Sequence, residues 1–371
     1  MKNLFEKTIL KNMNMKNRFI RSALWENLAD DKGHMTPELF NIYEELAKGG
    51  ASTIVTGYAF VTKDEQPNPG MMGIYDDSFI EEYTKLTDMA HKNNANIIMQ
   101  LAYGGSQTGL TPPSKVILGP SAIENKVSKV TPKEATKEDL QFLVKSFADA
   151  ALRVKKSGFD AVQIHIAHGY LLNQFLTPYY NQRTDEYGGS IDNRGRIIFE
   201  IYEAVRKAVG NDYPVLIKIN SEDFMEDGLT SEDSIYISKK LAKLGVDAIE
   251  VSGGTFSDPD VINNNLFFSR TKIVASKDRE SYFKEHATKL ANEVDVPVIL
   301  VGGNRHLDVM EDILNNTKIQ YFSFGRPLTC EPDLINRWEK GDTSRPRCVS
   351  CNQCFNLPGN RCILNVKKTN N

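Results

Sequence analysis

The feature that most constrains this chain is an eightfold alternation of short apolar runs with longer charged segments of helical period. Arg18–Leu24 (RFIRSAL) precedes Pro37–Lys48, Ser52–Phe60 (STIVTGYAF) precedes Ser78–His91, Asn96–Tyr103 (NIIMQLAY) precedes Glu138–Lys156, and Asp160–Ala167 precedes Ile197–Val209. The order continues with Pro214–Asn220 (PVLIKIN) before Glu232–Leu244 and Asp247–Gly253 (DAIEVSG) before Tyr282–Glu293. Pro297–Gly302 (PVILVG) then precedes Leu307–Leu314, and Gln320–Arg326 (QYFSFGR) precedes Asp333–Lys340. Strands that alternate with helices pair in parallel, because a parallel pair needs a long crossover. Eight such units predict an α/β fold, a closed (β/α)8 TIM barrel with enlarged loops. An open doubly wound sheet is the competing architecture, but no G-x-G-x-x-G follows the first strand. We expect the barrel over residues 1–340 and an extension over 341–371, where the composition turns polar and cysteine-bearing.

The 45 Lys and Arg against 48 Asp and Glu leave a net charge of −3, which invites neither nucleic acid nor an anionic membrane surface. The N-terminus, MKNLFEKTILKN, breaks its apolar residues with charges, unlike a signal peptide, and no run of about 18 apolar residues occurs. The expected location is therefore cytoplasmic. Of five cysteines, Cys348, Cys351, Cys354 and Cys362 lie together as C-x2-C-x2-C-x7-C. In a reducing compartment this reads as an iron–sulfur run, a tetrahedral zinc site or a set of reduced thiols, while Cys330 stands apart as a core residue. The tail also suits an interface in a homo-oligomer.

Barrel chemistry sits at the C-terminal ends of strands. His165, His168 and Tyr170 follow the fourth run, in the stretch HIAHGYLLNQFLTPYYNQRTDEYGGSIDNRGR. Alternation places Gln163 and His165 on one face, and His168 joins them only if the strand ends between the histidines, for which Gly169 is suited. Imidazoles there can hydrogen-bond a carbonyl oxygen, and a tyrosine can deliver a proton. A two-histidine metal site, as in a barrel hydrolase, is a further reading, though no acidic residue is adjacent. Gly302, Gly303 and Asn304 after the seventh run, with Gly325 and Arg326 after the eighth, read as a phosphate site. Gln100 and Lys218 end the third and fifth runs and suit a heterocycle with an imide edge, such as a flavin's pyrimidine end. The insertion at 104–137, with Pro112, Pro113, Pro120 and Pro132, reads as a lid or rim.

The stretch from His165 to Arg196 resembles the signature of the Old Yellow Enzyme family of flavin-dependent NAD(P)H oxidoreductases. KNRFIRSALWENLADDKGHMT, IIMQLAYGG, VLIKIN, IEVSGGT, VILVGGN and FGRPLTCEPDL agree in order. The resemblance implies FMN as cofactor, NADH or NADPH as reductant, and a small enone or enoate as substrate. It implies that Ser22, Ala23 and Leu24 line the flavin, Gly57 and Gln100 hold its pyrimidine edge, and Lys218 sits beside the reducible ring. Gly303, Asn304, Gly325 and Arg326 would cradle the phosphate, His165 and His168 would grip the substrate carbonyl, and Tyr170 would donate the proton. Trp25 stands where many members carry a small or sulfur-bearing residue, and Lys218 where many carry arginine. The cysteine tail resembles that of the dienoyl-CoA and enoate reductase branch, which holds a [4Fe–4S] cluster and carries further nucleotide-binding domains. That branch usually has wider cysteine spacing. An alternative is an electron-transfer subunit fed through the tail by a protein partner.

Overall fold

The computed structural model describes residues 1–109, 115–258, 274 and 276–366. Eight parallel strands close on themselves: β1 Phe19–Arg21, β2 Thr53–Phe60, β3 Asn96–Ala102, β4 Ala161–Ile166, β5 Val215–Asn220, β6 Ala248–Ser252, β7 Val298–Leu300 and β8 Tyr321–Phe324. Each pairs with its successor, and β8 pairs with β1 to shut the ring. Each strand is followed by its helix: α1 Pro37–Lys48, α2 Phe79–Lys92, α3 Lys137–Lys156, α4 Arg196–Val209, α5 Ser231–Leu244, α6 Lys284–Glu293, α7 Leu307–Asn316 and α8 Leu334–Glu339. The predicted (β/α)8 barrel is the observed architecture. Expected and observed element ends differ by a few residues, as helix and strand ends generally do.

Local chemistry explains the helix starts. The Thr36 side chain accepts from the Leu39 N–H with Pro37 at the first turn, and Thr136 and Asp139 form a reciprocal capping box at α3. Gly245 ends α5 in the left-handed conformation.

Strand alternation separates two cores. Residues facing the helices, among them Ile97, Met99, Val162, Ile164, Ile217 and Ile249, form the large outer core. The inner core takes one residue from every strand: Ile20, Val55, Ile98, Ala161, Leu216, Ala248, Ile299 and Tyr321. Leu10, Met13 and Met15 join it from a short antiparallel hairpin, Thr8–Leu10 with Met13–Met15, which plugs the N-terminal end of the barrel. Two residues further along, six of these eight positions are polar (Ser22, Gln100, Gln163, Lys218, Glu250 and Ser323), and the site begins there.

The insertion after β3 forms part of the rim. Leu118–Gly119 pairs with Lys133–Glu134, Asn125 donates to Ser257 Oγ at 3.0 Å, and Lys126 pairs with Asp258 at 2.7 Å. Pro112 and Pro113 lie outside the described residues. Among the described residues no helix is long and apolar enough to cross a membrane.

Candidate active site

The C-terminal strand ends surround a cleft that opens to solvent. Ser22, Ala23, Leu24, His168, Lys218, Gly302, Gly303, Asn304, Gly325 and Arg326 all line it.

His165 is the last inward residue of β4, which ends at Ile166. The backbone then turns through two consecutive left-handed residues, His168 (φ 65°) and Gly169 (φ 81°). A non-glycine residue rarely adopts this conformation, and a Cβ at Gly169 would meet Gln107 Oε1 and Thr255 Oγ1 at 2.4 Å. The turn swings His168 back beside His165, with ring centroids 5.0 Å apart, and puts the Tyr170 ring 5.2 Å from His165. His168 Nε2 and Ser252 Oγ share a hydrogen bond of 2.7 Å.

Tyr58, which the sequence reading passed over, joins the group with its ring edge-on to Tyr170 at 4.8 Å. Plain alternation from Val55 would face Tyr58 outward, but a bulge in β2 between Val55 and Tyr58 shifts the register so that Tyr58 pairs with Gln100. Burial raises the Tyr58 pKa well above the usual phenol range.

Lys218 lies deep in the barrel opposite Glu250, its in-register neighbour on β6, at 3.3 Å. Lys218 Nζ donates to Ser22 Oγ at 2.7 Å. Ser22 and Ser323 each donate to Glu250 Oε1 at 2.7 Å, and Gln163 donates to Oε2 at 2.9 Å. Gln100 donates in turn to Gln163 at 2.7 Å. Burial alone would raise the Glu250 pKa, yet Lys218 and these donors hold it below the usual carboxylate value. Glu250 was missed, although it shares the inward face of β6 with Ser252 and is a carboxylate in an otherwise apolar run.

Gly57 also has a structural job. Its N–H is donated to the Tyr43 hydroxyl at 2.9 Å. A Cβ there would meet Glu26 Oε2 at 2.2 Å and the Leu24 carbonyl at 2.6 Å, so the glycine lets the loop after β1 pack close. Asn304 lines the cleft with its side chain committed elsewhere. Its amide donates to the Leu300 and Ser323 carbonyls at 2.9 and 3.1 Å and its Oδ1 accepts from Ser281, so its side chain ties β7 to β8.

Gly302 (φ 113°) and Gly303 (φ 82°) are both left-handed, and a Cβ on either would strike the Tyr282 ring at 2.7 Å. Arg326 enters the cleft as expected, and Arg305, not foreseen, enters beside it. Burial and the neighbouring Arg326 depress the Arg305 pKa. Two crowded guanidinium groups are relieved by a doubly charged anion. With Lys218 in the same cleft this set fits FMN, whereas Gly57, Gln100, His165 and Tyr170 do not border the cleft.

Much of the long stretch after His165 is scaffold. Asp223, fully buried, accepts from Asn173 at 3.0 Å, Thr177 at 2.6 Å, Asn220 at 2.8 Å and the Leu229 N–H at 2.9 Å. Arg183 donates to the Pro120 and Ala135 carbonyls, and Arg194 pairs with Asp233.

Cys348, Cys351, Cys354 and Cys362 all border one small cavity together with Arg326. Among the described residues, however, no three His, Cys, Asp or Glu side chains are gathered so as to hold a metal ion, at the tail or at His165 and His168. The thiols are the right donors in a geometry not assembled around an ion. Cys330 is core, as expected, but it does not stand apart. Burial and the neighbouring Cys362 thiol push its pKa up to about 12.

Comparison with known proteins agrees with this geometry. The family model for the NADH:flavin oxidoreductase / NADH oxidase family matches residues 3–344. The NADH oxidase of Thermoanaerobacter brockii is 30% identical over 98% of this chain and 55% of its own length. The NADPH dehydrogenase of Bacillus subtilis is 32% identical over 89% of this chain and 92% of the relative. A solved complex of 2-naphthoyl-CoA reductase with 2-naphthoyl-CoA superposes with a TM-score of 0.85 at 25% identity, covering 95% of this chain and 54% of that one. The chain thus spans about half the length of the first curated relatives it matches. With barrel, cleft and family model in agreement, the chain belongs to the NADH:flavin oxidoreductase / NADH oxidase family, the FMN-dependent oxidoreductases that include Old Yellow Enzyme.

Proposed function

We propose that this chain reduces the C=C bond of α,β-unsaturated carbonyl compounds, enones or enoates, using FMN and taking reducing equivalents from NADH or NADPH. The observation that carries the reading is the grouping of His165, His168 and Tyr170, of which His168 lines a cleft that also takes in Arg305, Arg326 and two left-handed glycines. Bound FMN supplies the hydride chemistry. Arg305, Arg326 and the backbone at Gly302–Gly303 and Gly325 bind its phosphate. Ser22, Ala23 and Leu24 would line the ring system, and Lys218 and Gln100 would serve its pyrimidine end. His165 and His168 donate hydrogen bonds to the substrate carbonyl oxygen, which draws charge from the β-carbon. The Tyr170 hydroxyl gives its proton to the α-carbon and recovers one from solvent. Burial of the trio excludes water and fixes the substrate's orientation.

The test is an anaerobic titration of FMN-loaded protein, with NADH or NADPH first and an enone second. Tyr170→Phe should leave flavin bleaching by nicotinamide unchanged and slow reoxidation by the enone about 100-fold or more. Equal slowing of both half-reactions would remove the proton-donor role.

A second reading, an electron-transfer subunit fed through the tail, is favoured by one observation: the four cysteines share a cavity with Arg326, which also lines the cleft. It predicts that nicotinamide alone leaves the flavin oxidised and that a reduced protein partner bleaches it.

A further inference from the structure

The two arginines at the phosphate end of the cleft reach out of it as well as into it. Arg305 Nη2 donates to Ser350 Oγ at 2.9 Å, with Cys348 Sγ at 3.8 Å. Arg326 Nη1 donates to Asn352 Oδ1 at 2.6 Å. Ser350 and Asn352 flank Cys351 in the tail, and both are left-handed at φ 60°. Two non-glycine residues in that conformation, one residue apart, need surrounding structure to hold them. The tail around them is anchored to the barrel: Asn365 and Arg347 each donate to the Cys330 carbonyl at 3.0 Å, and Asn360 is bonded to the Trp25 carbonyl. Phe355, from the same turn, forms part of the cleft wall.

The chemistry of the two acceptors matters. A carboxylate at either position would neutralise its arginine. A hydroxyl and an amide orient the guanidinium groups and leave both positive charges for the ligand.

We propose that Ser350 and Asn352 are positioning residues for the FMN phosphate, so that the cysteine tail is a working part of the cofactor site and the order of the tail is coupled to FMN retention. The proposal rests on the FMN reading above. Coupling of this kind is reciprocal: whatever orders the tail tightens FMN, and FMN orders the tail to the same degree.

The experiment compares FMN with riboflavin, which lacks the phosphate, by quenching of flavin fluorescence on the full chain. Wild type should bind FMN far more tightly than riboflavin. In S350A/N352A the FMN dissociation constant should rise roughly ten- to a hundredfold while that of riboflavin stays within about twofold. Should the double variant fail to fold, Asn352→Asp alone reads the same point, because its carboxylate competes with the phosphate for Arg326. FMN, unlike riboflavin, should also slow iodoacetamide labelling of Cys348 and Cys354, followed by mass spectrometry. FMN affinity unchanged in the variants overturns the proposal, as does equal loss of both flavins. Wild type that binds FMN no better than riboflavin overturns the FMN reading itself, a result distinguishable from the other two.

Discussion

Replacing Glu250 by glutamine should cost far more than an isosteric change in a polar network suggests. Lys218 is 3% exposed and Glu250 1%, so neither charge has water to fall back on. Glu250 Oε1 receives Ser22, Ser323 and Lys218, and Oε2 receives Gln163. A glutamine offers one acceptor oxygen and turns a donor on the other side, leaving a buried ammonium uncompensated. Removing one partner of a buried pair costs about 3–5 kcal/mol. The assay is a double-mutant cycle in urea, followed by far-UV circular dichroism, on E250Q, K218M and K218M/E250Q. Each single variant should lose about 3–5 kcal/mol with an unchanged denaturant slope, and the double variant should lose less than the sum by about 2 kcal/mol or more. The pH dependence has a definite sign. The folded-state pKa of Glu250 lies below its ordinary value, so its contribution is complete above the usual carboxylate range and is lost as pH falls through the folded pKa. Wild type should therefore lose more stability on acidification than K218M/E250Q. Single-variant losses that add to the double within about 0.5 kcal/mol would refute the argument.

Three further outcomes follow from named contacts. Asp223→Ala removes the acceptor of four buried hydrogen bonds and should destabilise the chain by about 3–5 kcal/mol in the same urea assay. Gly57→Ala drives a methyl group into Glu26 and the Leu24 carbonyl, so it should cost about 1–3 kcal/mol and weaken FMN binding by displacing the floor at Leu24. His165→Ala should weaken binding of a phenol to the FMN-loaded protein roughly tenfold, measured by spectral titration; an unchanged titration would count against a hydrogen-bonding role.

The barrel was legible because its signal is local. Each strand is a short apolar run and each helix a periodic one, and eight repeats leave few closed arrangements. Alternation also told which face Gln163 and His165 occupy, and Gly169 marked the turn that brings His168 back. Partners were not legible. Closure brings Ser22, Gln163, Lys218, Glu250 and Ser323 into one network across some 300 residues of sequence, and only the register of adjacent strands decides which of them touch. The β2 bulge hid Tyr58, because one irregular step reverses the facing of every residue after it. Asn304 and Gly57 sit in motifs that resemble cofactor contacts, and the sequence did not show that the Asn304 side chain and the Gly57 N–H also hold strand ends and loops together. The same holds for the long stretch after His165, where Asp223, Arg183 and Arg194 anchor a loop whose facing residues are few.

The hairpin at residues 8–15 seals one end of the barrel with Leu10, Met13 and Met15, so among the described residues the doorway to the cleft lies at the other end, where the strands finish. On the proposed reaction, nicotinamide and unsaturated substrate share that doorway and one parking place, so each must wait for the other to leave. Turnover then has a traffic limit that no improvement in chemistry removes: raising either reactant far above the other should jam the entrance and slow the cycle, and the two inhibitions should mirror one another.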